Sequence, residues 1–129
     1  MSTRQNQIGF SVRIDDDADP AAIQVTGELD SFSACELRAA IADVLGRPGT
    51  ILDIREVAFV DSAGLGAIVG GIRRLREAGA AVVLCCTRSS VLRLLLMSGL
   101  DRIVAIAESP AEARRIIADA QGGQELLAV

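Results

Sequence analysis

The sequence predicts a single α/β domain: a mixed, mostly parallel sheet of four to five strands with about four helices packed against it. Three observations carry this. The chain has 129 residues, half of them hydrophobic, which is enough to bury one core and too few for two. Short β-favouring runs alternate with helical stretches in the order β-β-α-β-α-β-α-β-α, and such alternation selects parallel strands joined by right-handed helical crossovers. Finally, glycine, proline and capping residues fall where this order needs its boundaries.

The elements follow in turn. Residues 1–7 are polar and read as a flexible leader. Ile8 to Ile14 and Ala22 to Val25 are two strands joined by the acidic turn Asp15-Asp16-Asp17-Ala18-Asp19-Pro20, and the first is expected to be the antiparallel edge. Ser33 and Glu36 have the spacing of a capping box, and Leu37, Ile41, Val44 and Leu45 continue at helical spacing to Gly46 and Pro48. A helix is expected over about 31–45. Thr50 to Ile54 and Val57 to Val60 are β-favouring, and a second helix carries Leu65, Ile68, Val69, Ile72 and Leu75, with Arg73, Arg74 and Arg76 in its last turns. Ala80 to Cys86 reads as a buried strand, Ser89 to Ser98 as a third helix stopped by Gly99, and Ile103 to Ile106 as a last strand. Ser109-Pro110-Ala111-Glu112 opens a fourth helix with proline at its first position and another capping box. The domain is expected over 8–120, with 121–129 as a tail.

Composition removes whole mechanisms. There is no His, and all 13 basic residues are Arg against 17 acidic ones. Without imidazole there is no His-activated nucleophile, proton shuttle or His-ligated metal, and without lysine no Schiff base or phosphate-binding lysine of the P-loop kind. A net charge of -4 with only Phe10, Phe32 and Phe59 as aromatics offers neither the basic footprint nor the stacking platform of a nucleic-acid binder. Cys35, Cys85 and Cys86 are odd in number and form no CxxC pair, which argues against a disulfide framework or metal site. No run approaches the length of a membrane helix and the start lacks a signal peptide's apolar middle, so a cytoplasmic protein without membrane partner, metal, cofactor or enzymatic activity is expected.

Three constellations are weaker than they look. Asp15, Asp17 and Asp19 have the spacing that opens a calcium loop, but Pro20 and Thr26 stand where the turn glycine and bidentate glutamate belong, so a solvated turn is the reading. Gly64-Leu65-Gly66-Ala67-Ile68-Val69-Gly70 misses a dinucleotide fingerprint at Val69, and helix packing is the expected use of Gly70 and Gly71. Val60-Asp61-Ser62-Ala63-Gly64 is shaped like a nucleophile elbow, yet begins with Val and has no histidine to activate it. Ser62 at a helix start could simply be the N-cap. The same position can also carry an added phosphate, because free amides and the helix dipole favour negative charge there by ~0.3 to 1 kcal/mol. Beside Asp61, that phosphate would place about -1.5 to -2 further charges on any surface a partner had covered.

At this motif the sequence resembles the STAS-domain family of bacterial anti-sigma factor antagonists. Val25-Thr26-Gly27-Glu28-Leu29-Asp30 is similar to the family's strand-end signature, and Ile51-Leu52-Asp53 with Val57-Ala58-Phe59-Val60-Asp61-Ser62-Ala63-Gly64-Leu65-Gly66 to its central motif. Ser98-Gly99-Leu100-Asp101 is similar to its late turn. The resemblance implies an unphosphorylated form that binds an anti-sigma factor, itself a serine kinase, and so frees a sigma factor. It implies Ser62 as the phosphoacceptor, a loop of Asp61, Ala63, Gly64 and Leu65 presented to the kinase, the Asp30 loop beside it, and a serine phosphatase that resets the cycle. Ala63 stands where the family often has a second hydroxyl. On the third helix Val91, Leu94, Leu95 and Ser98 share one face, so Leu92 and Leu96 are expected to point outward as a contact surface for a partner or a second copy, where relatives tend to be charged. Two other readings of the same resemblance are a non-phosphorylated subunit of a lipid or anion transport assembly and a nucleotide sensor.

Overall fold

The computed structural model describes the backbone of residues 2–7 and 9–128 and the side chains of residues 9–122. The strands are β1 (Ser2–Gln7), β2 (Phe10–Asp15), β3 (Ala21–Leu29), β4 (Gly49–Val60), β5 (Ala81–Cys85) and β6 (Ala105–Ala107). The helices are α1 (Ala34–Val44), α2 (Ser62–Glu77), α3 (Ser89–Met97) and α4 (Pro110–Ala128), with a 3-10 turn at Leu100–Arg102. One six-stranded sheet runs β1-β2-β3-β4-β5-β6. Its first two pairings are antiparallel and the other three parallel.

At the amino end the structure differs from expectation twice. The leader expected at residues 1–7 supplies β1, so the sheet has one strand more than the four to five expected. The strand expected at the edge, now β2, instead lies between β1 and β3. Hydrophobic alternation could not show this, because an edge strand with the polar sequence Ser2–Gln7 is held through its backbone. At the other end α4 runs on to Ala128, past residue 120 where a tail was expected. The acidic segment is a turn as expected: Asp15 pairs with Ala22 across the hairpin, the Asp15 carboxylate accepts the Ala18 amide, and Arg47 donates to the Ala18 carbonyl.

The sheet is buried on two unequal sides. Strand residues alternate between faces, so in β4 Leu52 and Ile54 join the larger core with Leu37 and Ile41 of α1, Ile68 and Ile72 of α2 and Leu95 of α3. Ile51 points the other way, where Val83, Cys85 and Ala107 meet Ala113 and Ile117 of α4. Three crossover helices thus cover one face and α4 covers part of the other. Helices α1 and α2 pack closely at Gly71, whose missing side chain makes room for the tip of Ile41; Gly70 faces open space. Of the two glycines expected to serve helix packing, only Gly71 does.

Candidate functional site at the carboxyl ends of two parallel strands

Strands β3 and β4 run in parallel and end together, with Glu28 opposite Phe59 and Leu29 opposite Val60. The chain leaves both at the same edge of the sheet. The Asp61 amide donates to the Leu29 carbonyl at 3.1 Å, which fastens one exit to the other. Gly64 lies directly against the same carbonyl, where a Cβ would stand 2.2 Å from the oxygen. Asp30, Asp61, Ala63, Gly64 and Leu65 are therefore brought to one edge by backbone geometry.

After β3 the chain makes a tight turn built on two side chains. The Asp30 carboxylate accepts the amides of Phe32 and Ser33, each at 3.0 Å. Ser33 is fully buried; its hydroxyl donates to the Glu28 carbonyl at 2.8 Å and accepts the Asp30 amide at 2.9 Å. The hydroxyl is thus consumed by the turn, and no side-chain cap bond forms at the start of α1. That corrects the capping box expected of Ser33 and Glu36 and starts the helix at Ala34 instead of 31. By contrast Ser109 does cap α4, accepting the Glu112 amide at 3.1 Å, while the Glu112 carboxylate accepts the Glu108 amide, one position before the Ser109 amide that the expected box would use. Donation from the Ser33 amide first, opposed by desolvation and supported by the Ser33 hydroxyl and the Phe32 amide, holds the Asp30 carboxyl below its ordinary value of 3.8.

After β4, Asp61 adopts an extended conformation and its carboxylate accepts the Gly64 amide at 2.8 Å. Asp61, and not Ser62, is the N-cap of α2. Ser62 becomes the first helical residue, is exposed, and its hydroxyl has no hydrogen-bond partner among the described residues. The reading of Ser62 as a cap is thereby corrected: a carboxylate one position earlier reaches the third helical amide first. The first helical amides have no partner within a helix, so the free hydroxyl sits beside unsatisfied donors and the positive end of the α2 dipole.

The third helix is less simply divided than its periodicity suggests. Val91 and Leu95 are buried and Leu94 partly so, but Ser98 is exposed and returns its hydroxyl to the Leu95 carbonyl. Leu92 is partly buried against the core, contrary to its expected outward placement, whereas Leu96 is 49% and Met97 80% exposed. The cause is local: α3 packs on β4 and on the 3-10 turn that follows it, which draws in more of its surface than one stripe. Leu92, Leu96 and Met97 line a shallow groove of their own.

Sequence reasoning missed three residues here. Phe59 and Phe32 are exposed at the two strand exits, and Ser33 ties the Asp30 turn together. Strand alternation from buried Val60 would have turned Phe59 outward. Nothing in the pattern distinguished Ser33 from an ordinary cap. On the opposite side of the sheet, buried Asp53 holds Arg55 through two bonds of 2.9 Å, an ion pair at the floor of a cleft beside α4. Among the described residues no group of three or more His, Cys, Asp or Glu is placed to hold a metal ion, and no helix is long and apolar enough to cross a membrane.

A sheet with three helices on one face and one on the other, and a free serine at the start of a helix between two strand exits, defines a small binding domain of the STAS kind. The STAS domain family model matches residues 10–113, and the chain belongs to that family. It is 34% identical over 92 residues to an anti-sigma-B factor antagonist of Listeria monocytogenes, covering 70% of this chain and 81% of the relative. It is 30% identical over 94 residues to an anti-sigma F factor antagonist of Paenibacillus polymyxa, covering 70% and 80%. A crystal structure of an anti-sigma factor antagonist from Mycobacterium paratuberculosis shares the fold, with a TM-score of 0.77 at 21% identity over 84% of this chain and 94% of that one. These relatives are regulators by name, each called an antagonist of an anti-sigma factor.

Proposed function

We propose that this protein is an anti-sigma factor antagonist whose binding is switched by phosphorylation of Ser62. In the unphosphorylated state the loop of Asp61, Ala63, Gly64 and Leu65, with the Asp30 turn beside it, docks on an anti-sigma factor that is also a serine kinase, and the sigma factor is released. The kinase transfers a phosphoryl group from its ATP to the Ser62 hydroxyl; a serine phosphatase restores the free form. One observation carries this reading: Ser62 is exposed and unbonded on a loop whose backbone is fixed on both sides. A hydroxyl so placed can enter another protein's active site without breaking an internal bond. Once phosphorylated, the loop carries two acidic groups side by side at Asp61 and Ser62, and a partner surface in contact with it must bury or repel them. Leu92 and Leu96 add an apolar surface for the same partner or a second copy.

Incubation with the cognate kinase and ATP, followed by mass-spectrometric mapping, tests the assignment. Phosphate on Ser62 in the wild type and none in Ser62→Ala is the expected result. Modification at another residue, or copurification with a transport ATPase and no kinase, contradicts it.

A further inference from the structure

We infer that Phe32 and Phe59 are the apolar anchors by which the unphosphorylated protein seats its anti-sigma kinase, an inference that rests on the function proposed above. The chain has three aromatic residues, all Phe. Phe10 is in the core at 2% exposure, while Phe32 is 75% and Phe59 51% exposed. Both exposed rings belong to the two strand exits that meet at Ser62: Phe59 is two residues before Asp61, and Phe32 is two residues after Asp30. Leaving these rings in water forfeits burial the fold could have used. Aromatic anchors surrounded by weaker contacts are what protein interfaces concentrate at their centres.

The backbone beneath each ring is already fixed. The Phe32 amide is held by the Asp30 carboxylate at 3.0 Å, in a turn locked by buried Ser33. Phe59 pairs with Glu28 in the sheet, between Val57 and Val60, which are both buried. Docking would therefore order little more than the two side chains, which keeps the entropic cost of association low.

The occupant follows from continuity with the acceptor. A kinase that takes the Ser62 hydroxyl into its active site must close over the surrounding edge, and a standard interface covers about 800 Å² on each partner, roughly 20 to 30 residues. Phe32 and Phe59 fall inside such a footprint because their loops are bonded to the Ser62 loop through Leu29. The arrangement also divides labour. The rings supply affinity and Ser62 follows Phe59 on the β4 exit, so a phosphate there places a strongly hydrated charge beside the patch that the rings need dry.

The test uses the full chain with Phe32→Ala, Phe59→Ala and the double variant, alongside Arg115→Ala on exposed α4, across the sheet from the site, as a surface control. Affinity for the cognate kinase is measured by calorimetry, and Ser62 phosphorylation by initial rates. Each single Phe variant is expected to weaken binding about tenfold or more and to raise KM, while kcat at saturation and the thermal midpoint stay near the wild-type values. If the double variant binds as tightly as the wild type, the anchor assignment is overturned and the proposed function stands. If the wild type itself neither binds the kinase nor is phosphorylated, both are overturned. Should an alanine variant unfold, Phe32→Leu and Phe59→Leu replace it, and loss of binding by folded leucine variants is then the supporting result.

Discussion

Gly64 separates two effects of a methyl group that point in opposite directions. Replacing a helical glycine by alanine favours the helix by ~1 kcal/mol, because glycine pays more backbone entropy on folding. At Gly64, however, the new Cβ would stand 2.2 Å from the Leu29 carbonyl oxygen and 2.8 Å from its carbon, both backbone atoms. The first turn of α2 must then retreat by about 1 Å to restore van der Waals distances. Doing so stretches the Asp61-to-Leu29 bond that joins the two strand exits. Overpacking of this kind costs ~1 to 3 kcal/mol, and a backbone neighbour that cannot rotate away puts Gly64→Ala at the upper end. The balance is a net loss of about 2 kcal/mol, equivalent to a fall of about 8 °C in Tm for a domain of this size. Gly66 and Gly70 lie on the same helix and face open space, so Gly66→Ala and Gly70→Ala should gain about 0.4 to 1 kcal/mol. Thermal and urea unfolding followed by far-ultraviolet circular dichroism reads all three variants. If Gly64→Ala is as stable as Gly66→Ala, the close approach of α2 to Leu29 is not as described.

Three further outcomes follow from the same geometry. Asp61→Ala removes the α2 cap and should cost about 1 kcal/mol in urea unfolding, whereas Ser62→Ala, which removes no internal bond, should leave stability within about 0.5 kcal/mol of wild type. Asp30 keeps its charge in the folded state to lower pH than in the unfolded chain, so its stabilising contribution is full above 3.8 and fades as pH falls through the lower folded value. Asp30→Asn should therefore flatten part of the acid limb of a stability-versus-pH curve, and an unchanged limb would contradict the bonding described for the turn. Of the three thiols only Cys35 is exposed; burial, reinforced by the Asp53 carboxylate, pushes Cys85 up to about 11, and burial raises Cys86 as well. An aromatic disulfide reagent at pH 8 should titrate one thiol in the native protein and three in denaturant, and two or more fast native thiols would show that the β5 end is not closed.

Much of this fold was legible because its signals are local. The β-favouring runs in β4 and β5, the stripe of Leu65, Ile68, Ile72 and Leu75 in α2, and the Ser109 cap of α4 each depend on residues a few positions apart. What escaped depends on contacts across the sheet. Strand β1 has no hydrophobic pattern to read, since its pairing with β2 is a backbone matter. Ser33 and Glu36 spell a capping box, but the hydroxyl oxygen accepts the Asp30 amide at 2.9 Å in place of a helix amide and its proton goes to the Glu28 carbonyl at 2.8 Å, a choice set by how β3 ends. Likewise Asp61 and Ser62 compete for one cap, and only the extended conformation of Asp61 at the end of β4 decides between them. Leu92 misled for the same reason: helical angles place it off the Val91–Leu95 face, yet the neighbouring core reaches around to partly bury it. The site was therefore readable as a motif, while the roles of its individual side chains were not.

In the proposed switch, a phosphoryl group on Ser62 turns binding off while the fold remains. Its most direct test is one titration of the cognate anti-sigma kinase with unphosphorylated protein and with protein phosphorylated on Ser62, each checked for an intact thermal transition. The first is expected to bind tightly and the second to lose about a hundredfold or more in affinity, which corresponds to ~2.7 kcal/mol. Equal affinity of the two folded forms would contradict it.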